Sequence, residues 1–319
     1  MSRRSQRLWK SVREALPKSG KTCLWLLGII LPLSLGVRLF DYYGAIDFLA
    51  AFLHPVFGLI GLPGALAIVF ITSIFLPLYA SIAVMASLAM TVREATILTL
   101  MCLVAHNLPV ECAVTRKTGS SFLGMFALRI GMAFVVALFL SVLLPADDTP
   151  FLLAIQPERY TTLAEVFQAW VYSSVAIVLT IVVIVTLLMI LQRILAEFEL
   201  IDALSSPLRP LMRFFGLPDS SPFLWIVGNV VGLAYGGAVM ADRIEEGKLS
   251  PEDSNTVNYH LSVSHSLLED TLLFVALGIN LWIIVGTRLL FATGVVWARR
   301  LIIYLGRIYN EKRHSTFST

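Results

Sequence analysis

Charge is scarce in this 319-residue chain: Asp, Glu, Lys and Arg fill 14% of positions, against about 25% in soluble domains, while 57% are hydrophobic. No water-soluble fold could hide that much apolar surface, so a soluble globular protein is excluded. Cysteine is sparse as well. Cys23, Cys102 and Cys112 stand in apolar surroundings without a paired framework, which excludes a disulfide scaffold. The short alternating segments of a membrane β-barrel are missing. So are the His-Glu-x-x-His of a zinc peptidase and the Gly-x-Ser-x-Gly of a serine hydrolase. Ser19-Gly20-Lys21-Thr22 ends like a phosphate-binding loop, but Ala15 stands where that motif needs its first glycine and no strand precedes it. With no catalytic grouping left, the expectation is a protein that is not an enzyme and has no cofactor.

What the chain does have is length in its apolar runs. Residues 22–40, 121–144 and 166–194 carry few or no charges and reach the roughly 20 residues that cross a hydrocarbon core of about 30 Å. They read as transmembrane helices, because helices and closed barrels alone satisfy their backbone inside lipid. The net charge of +3 is no nucleic-acid signal, since the basic residues collect at the ends: Arg3, Arg4, Arg7, Lys10, Arg13, Lys18 and Lys21 before the first run, Arg299, Arg300, Arg307, Lys312 and Arg313 near the close. The positive-inside rule then predicts an inner-membrane protein with both termini cytoplasmic. The loop at 145–163 holds Asp147, Asp148 and Glu158 against Arg159 alone and is predicted outside. The basic start resembles a secretory signal, but no small-residue cleavage site follows it.

The sequence also repeats itself. A shift of 155 positions lays Ile46-Asp47 on Ile201-Asp202, Pro55 on Pro210, Gly61-Leu62-Pro63 on Gly216-Leu217-Pro218, and Arg38 on Arg193. Ala83-Val84-Met85-Ala86 falls on Ala238-Val239-Met240-Ala241 at the same shift. After a four-residue insertion the shift becomes 159, and His106 meets His265, Glu111 meets Asp270, Gly119 meets Gly278 and Arg129 meets Arg288. Thr91-Val92-Arg93-Glu94 faces Ser250-Pro251-Glu252-Asp253, both patterned as capped helix starts. Apolar composition produces chance Leu and Val matches, but not Asp, Arg, Pro and Gly in register.

The predicted organisation is a basic segment at 1–21, a first repeat at 22–145, an extracytoplasmic linker at 146–165, a second repeat at 166–305 and a basic tail at 306–319. The charge pattern gives the repeats opposite orientation. The expected fold is thus an all-α integral membrane protein of two inverted-topology repeats with interrupted or re-entrant helices, a plan in which the substrate site lies between the repeats near the midplane. Each half reads as a spanning helix, an interfacial helix (46–60; 201–215), a broken apolar segment (66–90; 223–240), a helix bearing a His motif and a last span.

Three constellations carry chemistry. In the first, Ala105-His106-Asn107-Leu108-Pro109-Val110-Glu111, the proline frees a carbonyl and the carboxylate needs a partner or a cavity. The second is Asn258-Tyr259-His260 with Ser264-His265-Ser266-Leu267-Leu268-Glu269-Asp270; a continuous helix would set His265 and Glu269 on one face and His260 and Asp270 on others. The third, Asn229-Val230-Val231-Gly232-Leu233-Ala234-Tyr235-Gly236-Gly237, mixes an amide with glycines that permit close packing or an unwound stretch. Arg129 and Arg288 lie inside apolar runs and need acids such as Glu111 or Asp270.

Asn107-Leu108-Pro109-Val110-Glu111, followed by Thr115-Arg116-Lys117-Thr118-Gly119, resembles the signature of the Gate, or nucleoside recognition, domain. The resemblance implies a fold similar to one repeat of concentrative nucleoside transporters, duplicated as in the membrane part of the bacterial ferrous-iron permease. That permease's cytoplasmic GTPase has no counterpart in this sequence, and His106 stands where its cysteine would lie.

The expected function is a transporter or permease for a small polar solute or divalent cation, with His106, Asn107, Glu111, Asn229, His265, Ser266, Glu269 and Asp270 lining the path. Of these, His106, Glu111, His265, Glu269 and Asp270 are candidate metal ligands, the ion being substrate rather than cofactor. The expected partners are the lipid bilayer and the solute, with room for a homo-oligomer and none for nucleic acid. The competing reading is a membrane-embedded assembly or signalling partner without transport.

Overall fold

The computed structural model describes residues 3–151, 161–198 and 207–316. Among them the β pairing is one isolated bridge, Thr91 to Pro150, and the protein is an all-α membrane protein. Among the described residues, five stretches are long and apolar enough to cross a bilayer: Gln6–Tyr42, Val92–Lys117, Phe122–Leu143, Leu163–Leu195 and Leu281–Tyr309.

The first half runs α1 (Arg3–Tyr42), α2 (Ala45–Gly58), a short 3-10 turn (Gly64–Leu66), α3 (Ala67–Phe75), α4 (Leu78–Met85), α5 (Val92–Val104), α6 (Leu108–Lys117) and α7 (Phe122–Leu143). The second runs α8 (Leu163–Glu197), α9 (Arg209–Phe214), α10 (Pro222–Val230), α11 (Leu233–Glu245), α12 (Pro251–Ser264), α13 (Leu267–Ala276) and α14 (Leu281–Thr316). The second interfacial helix was expected over 201–215; its first residues, 201–206, lie outside the described residues, as do Glu158 and Arg159.

Local chemistry sets the same punctuation in each half. Thr91 caps α5 in a reciprocal box, accepting from the Glu94 N–H at 3.2 Å while Glu94 accepts from the Thr91 N–H at 2.8 Å. Ser250 accepts from the Asp253 N–H at 3.0 Å at the start of α12. The turns after α2 and α9 pass through Gly61 at φ 70° and Gly216 at φ 72°, a left-handed conformation that a Cβ disfavours.

The broken segments double back. Leu76 and Pro77 are extended between α3 and α4, and those two helices pack on each other. Their counterparts α10 and α11 are separated by Gly232 at φ 108° and cross where a Cβ on Gly236 would stand 3.1 Å from the Cα of Gly228. At 1.5 Å per residue none of these short helices crosses a hydrocarbon core. The glycines of this segment therefore serve a turn and a close approach together.

The long helices α1 and α8 lie side by side and run antiparallel. Arg7 bonds to Glu197, Glu14 to Arg193, Trp170 to Ser34 and Arg38 to Ser173, so the start of α1 meets the end of α8 and the end of α1 meets the start of α8. The halves meet where α5 and α7 pack on α12 and α14, and α6 packs on α11, with Val114 in the space a side chain at Gly237 would need. The α5–α6 stretch is the centre: 72% of its apolar window is buried, against 25–35% for the other four stretches. Leu123, Val142, Tyr172, Leu179, Trp282 and Leu290 leave α7, α8 and α14 with exposed apolar flanks suited to lipid.

Gly236→Ala is expected to lower the melting temperature of the purified protein, because its Cβ meets backbone that cannot rotate away. Gly131→Ala on α7, which faces open space, is expected to leave it unchanged or higher. Thermal unfolding in one detergent compares them; equal effects would contradict the close crossing.

Candidate functional site

Both His-bearing helices stop at their histidine. Between α5 and α6, Asn107 takes φ 47°; between α12 and α13, Ser266 takes φ 52°, and these are the non-glycine positive-φ residues among those described. Such backbone is costly and persists only where its surroundings hold it. The Asn107 N–H donates to Ser73 O on α3 at 2.7 Å, and the Ser266 N–H donates to Gly228 O on α10 at 2.9 Å. Each break is thus tied to the first helix of the doubled-back segment.

A helix that ends in a dry interior leaves carbonyls without donors. Arg129 on α7 supplies them, its Nε to Val104 O at 2.7 Å and its Nη2 to His106 O at 3.1 Å. Arg288 on α14 does the same 159 positions later, Nε to Val263 O at 3.0 Å and Nη2 to His265 O. The guanidinium fork serves several acceptors at once, which an ammonium does not. Arg129 Nη1 then pairs with Glu111, while Arg288 Nη1 stands 3.6 Å from Asp270 Oδ2.

The two imidazoles meet at the junction of the halves. His106 Nδ1 lies 3.0 Å from Cys102 O and His265 Nδ1 lies 2.8 Å from Leu261 O. Their Nε2 atoms are 3.3 Å apart, with ring centroids at 4.9 Å and planes tilted by 40°. Glu111 reaches both, Oε1 3.2 Å from His106 Nε2 and Oε2 3.1 Å from His265 Nε2. Asp270 brings a carboxylate oxygen within 4.8 Å of both ring nitrogens. All are buried: His265 and Arg288 at 0% exposure, Arg129 at 2%, His106 and Asp270 at 6% and Glu111 at 9%. Such a grouping can hold a proton, a metal ion or the polar edge of a small solute.

The remaining sequence-chosen residues scatter. Glu269 does not share a face with His265, because the helix breaks between them; it accepts from Tyr79 OH of the other half at 3.0 Å. The same break turns Asp270, expected on another face, toward the histidines. Asn107 and Ser266 contribute backbone conformation, and their side chains make no helix-capping bond. Asn229 donates to Trp225 O at 2.9 Å and leaves a buried Oδ1 without a hydrogen bond. His260 accepts from Trp225 Nε1 at 3.1 Å and packs on Phe215, apart from the pair. Asn258 instead joins the halves, donating to Thr118 Oγ1 at 2.8 Å and Ser120 Oγ at 2.9 Å. Sequence reasoning missed Tyr79 and the carbonyl-clamping task of the arginines; a repeat-matched arginine opposite each break was the available signal.

Residues 23–133 match the family described as "Gate: Nucleoside recognition", a stretch that contains Ser73, Tyr79, His106, Glu111 and Arg129. Over 269 residues, 83% of this chain and 86% of the relative, the sequence is 31% identical to the "Uncharacterized membrane protein YvoD" of Bacillus subtilis (strain 168). No solved structure matches the chain.

Arg129→Ala and Arg288→Ala are each expected to cost about 3–5 kcal/mol, since each leaves buried carbonyls and a carboxylate unpaired. Lysine at these positions is expected to recover less than half of the loss. Folded yield after size-exclusion chromatography and thermal unfolding measure this; native-like stability of Arg129→Ala would contradict the clamp.

Proposed function

This chain belongs to the Gate (nucleoside recognition) family of membrane proteins, and we propose that it is a permease whose solute path runs between its two halves, through His106, His265, Glu111 and Asp270. The observation that carries this reading is the convergence of equivalent residues: an imidazole and a carboxylate from each half meet at one buried point. Ionisable groups are expensive inside a membrane and mark solute or proton pathways. A merely structural ion pair would need one acid for each arginine and no histidines.

The antiparallel packing of α1 and α8, which occupy the same place in their repeats, supports an inverted duplication. Basic residues at both ends support an orientation with the termini in the cytoplasm and an inner-membrane location. The doubled-back segments are the moving parts of this account. Because each holds the backbone of a break through Ser73 O or Gly228 O, displacement of a hairpin would re-aim its histidine and open the junction to one side at a time. The solute is a small polar molecule or a cation.

Reconstituted vesicles challenged with a panel of labelled nucleosides and divalent metals provide the test. The native protein is expected to accumulate a member of the panel, and Glu111→Gln and Asp270→Asn to insert and purify yet lose at least tenfold in uptake. Uptake equal to the native protein in both variants would remove the junction from the path.

A further inference from the structure

The geometry points to a site for one first-row divalent metal ion at this junction, built by His106 Nε2, His265 Nε2 and a carboxylate oxygen of Asp270, with Glu111 as the adjoining donor. As a binding site it stands on the distances alone; as the cargo of transport it rests on the permease reading.

Backbone contacts fix the tautomer of each imidazole. A backbone carbonyl can only accept, so Nδ1 of His106, 3.0 Å from Cys102 O, and Nδ1 of His265, 2.8 Å from Leu261 O, each carry the hydrogen. In a neutral imidazole Nε2 is then a bare lone pair. Two such lone pairs face each other across 3.3 Å, and the Glu111 oxygens beside them at 3.2 and 3.1 Å are acceptors too. Asp270 Oδ2 is buried, makes no hydrogen bond and has the Arg288 guanidinium 3.6 Å away. Four acceptor groups therefore surround one point, and something positive must occupy it.

The arginines fill it only in part. Their Nε and Nη2 groups are spent on Val104 O, His106 O, Val263 O and His265 O, and Arg129 Nη1 on Glu111 Oε2. Arg288 Nη1 stands 3.6 Å from Asp270 Oδ2, an ion pair too long for a hydrogen bond, and no arginine nitrogen is hydrogen-bonded to either imidazole Nε2. Tyr79 OH is spent on Glu269.

The spacing selects the occupant. A tetrahedral ion with bonds of about 2.0–2.1 Å sets its ligand atoms about 3.3–3.4 Å apart, which is the separation of the two Nε2 atoms. Imidazole with carboxylate suits zinc, nickel, cobalt, iron and manganese rather than calcium or magnesium, and no thiolate joins to favour copper(I). Arg129 and Arg288 balance Glu111 and Asp270, so the protein groups at the site are neutral in net.

The test uses the full chain in detergent, purified without a polyhistidine tag and titrated with Co2+ and Zn2+ in equilibrium dialysis and by the visible absorption of bound Co2+. One ion per chain is expected, with affinity falling at least tenfold in His106→Gln, His265→Gln and Asp270→Asn and unchanged in His260→Gln. Zn2+ is also expected to raise the melting temperature of the native protein, a reading that needs no variant. Absence of saturable binding, or binding that survives both His106→Gln and His265→Gln, would overturn the site and leave a proton as its occupant. Uptake of a nucleoside without metal binding would overturn the site while sparing the permease. Metal binding without uptake of any solute would uphold the site and overturn its role as cargo.

Discussion

A helix that stops inside a membrane must hand its last carbonyls to some donor, because lipid offers none. In this protein that donor is an arginine on the following long helix, Arg129 for the break after Val104 and Arg288 for the break after Ser264. Much else follows from the choice. A buried guanidinium demands an anion, which Glu111 and Asp270 supply from the first turn of the helix beyond the break. The interruption also releases the histidine at the end of each helix from regular packing, so that its ring turns back onto the carbonyl four residues earlier and presents its other nitrogen to the junction.

The two sides of the junction are nearly alike, each with a histidine, a carboxylate and an arginine, and the departures from that likeness are informative. Glu111 is long enough to touch both imidazoles and Arg129 together. Asp270 is one methylene shorter, stands 3.6 Å from Arg288 and keeps an oxygen without a hydrogen bond. One carboxylate thus belongs to the framework of the site, and the other has capacity left for a ligand. A second asymmetry lies at the rim, where Asn258 reaches Thr118 and Ser120 across the halves, while the residues matching Thr118 and Ser120 are the apolar Leu277 and Ile279.

Much of this was legible in the sequence. Apolar run length gave the spans at 22–40, 121–144 and 166–194, which lie within α1, α7 with its flanking residues, and α8; capping patterns gave the starts of α5 and α12. Matching residue types too polar to coincide by chance set His106 opposite His265 in the sequence, and the two imidazoles meet in the structure. Facing along the His-bearing helix was not legible, because counting in turns of 3.6 residues assumes a helix that continues. The left-handed residue at Ser266 resets the count, which moved Asp270 into the site and Glu269 out to Tyr79. Tyr79 itself had no signal, since its partner lies 190 positions away in the other half.

The junction exists only if both histidines turn their Nδ1–H to backbone and their Nε2 to each other. Nitrogen-15 chemical shifts of labelled histidine in the protein in bilayers report this directly, with His106 and His265 assigned by substitution against His54, His260 and His314. A hydrogen-bearing Nδ1 is predicted on both residues, with Nε2 responding to added Zn2+. A bare Nδ1 on either would mean that its ring faces the other way, and the convergence of lone pairs on which the site rests would not exist.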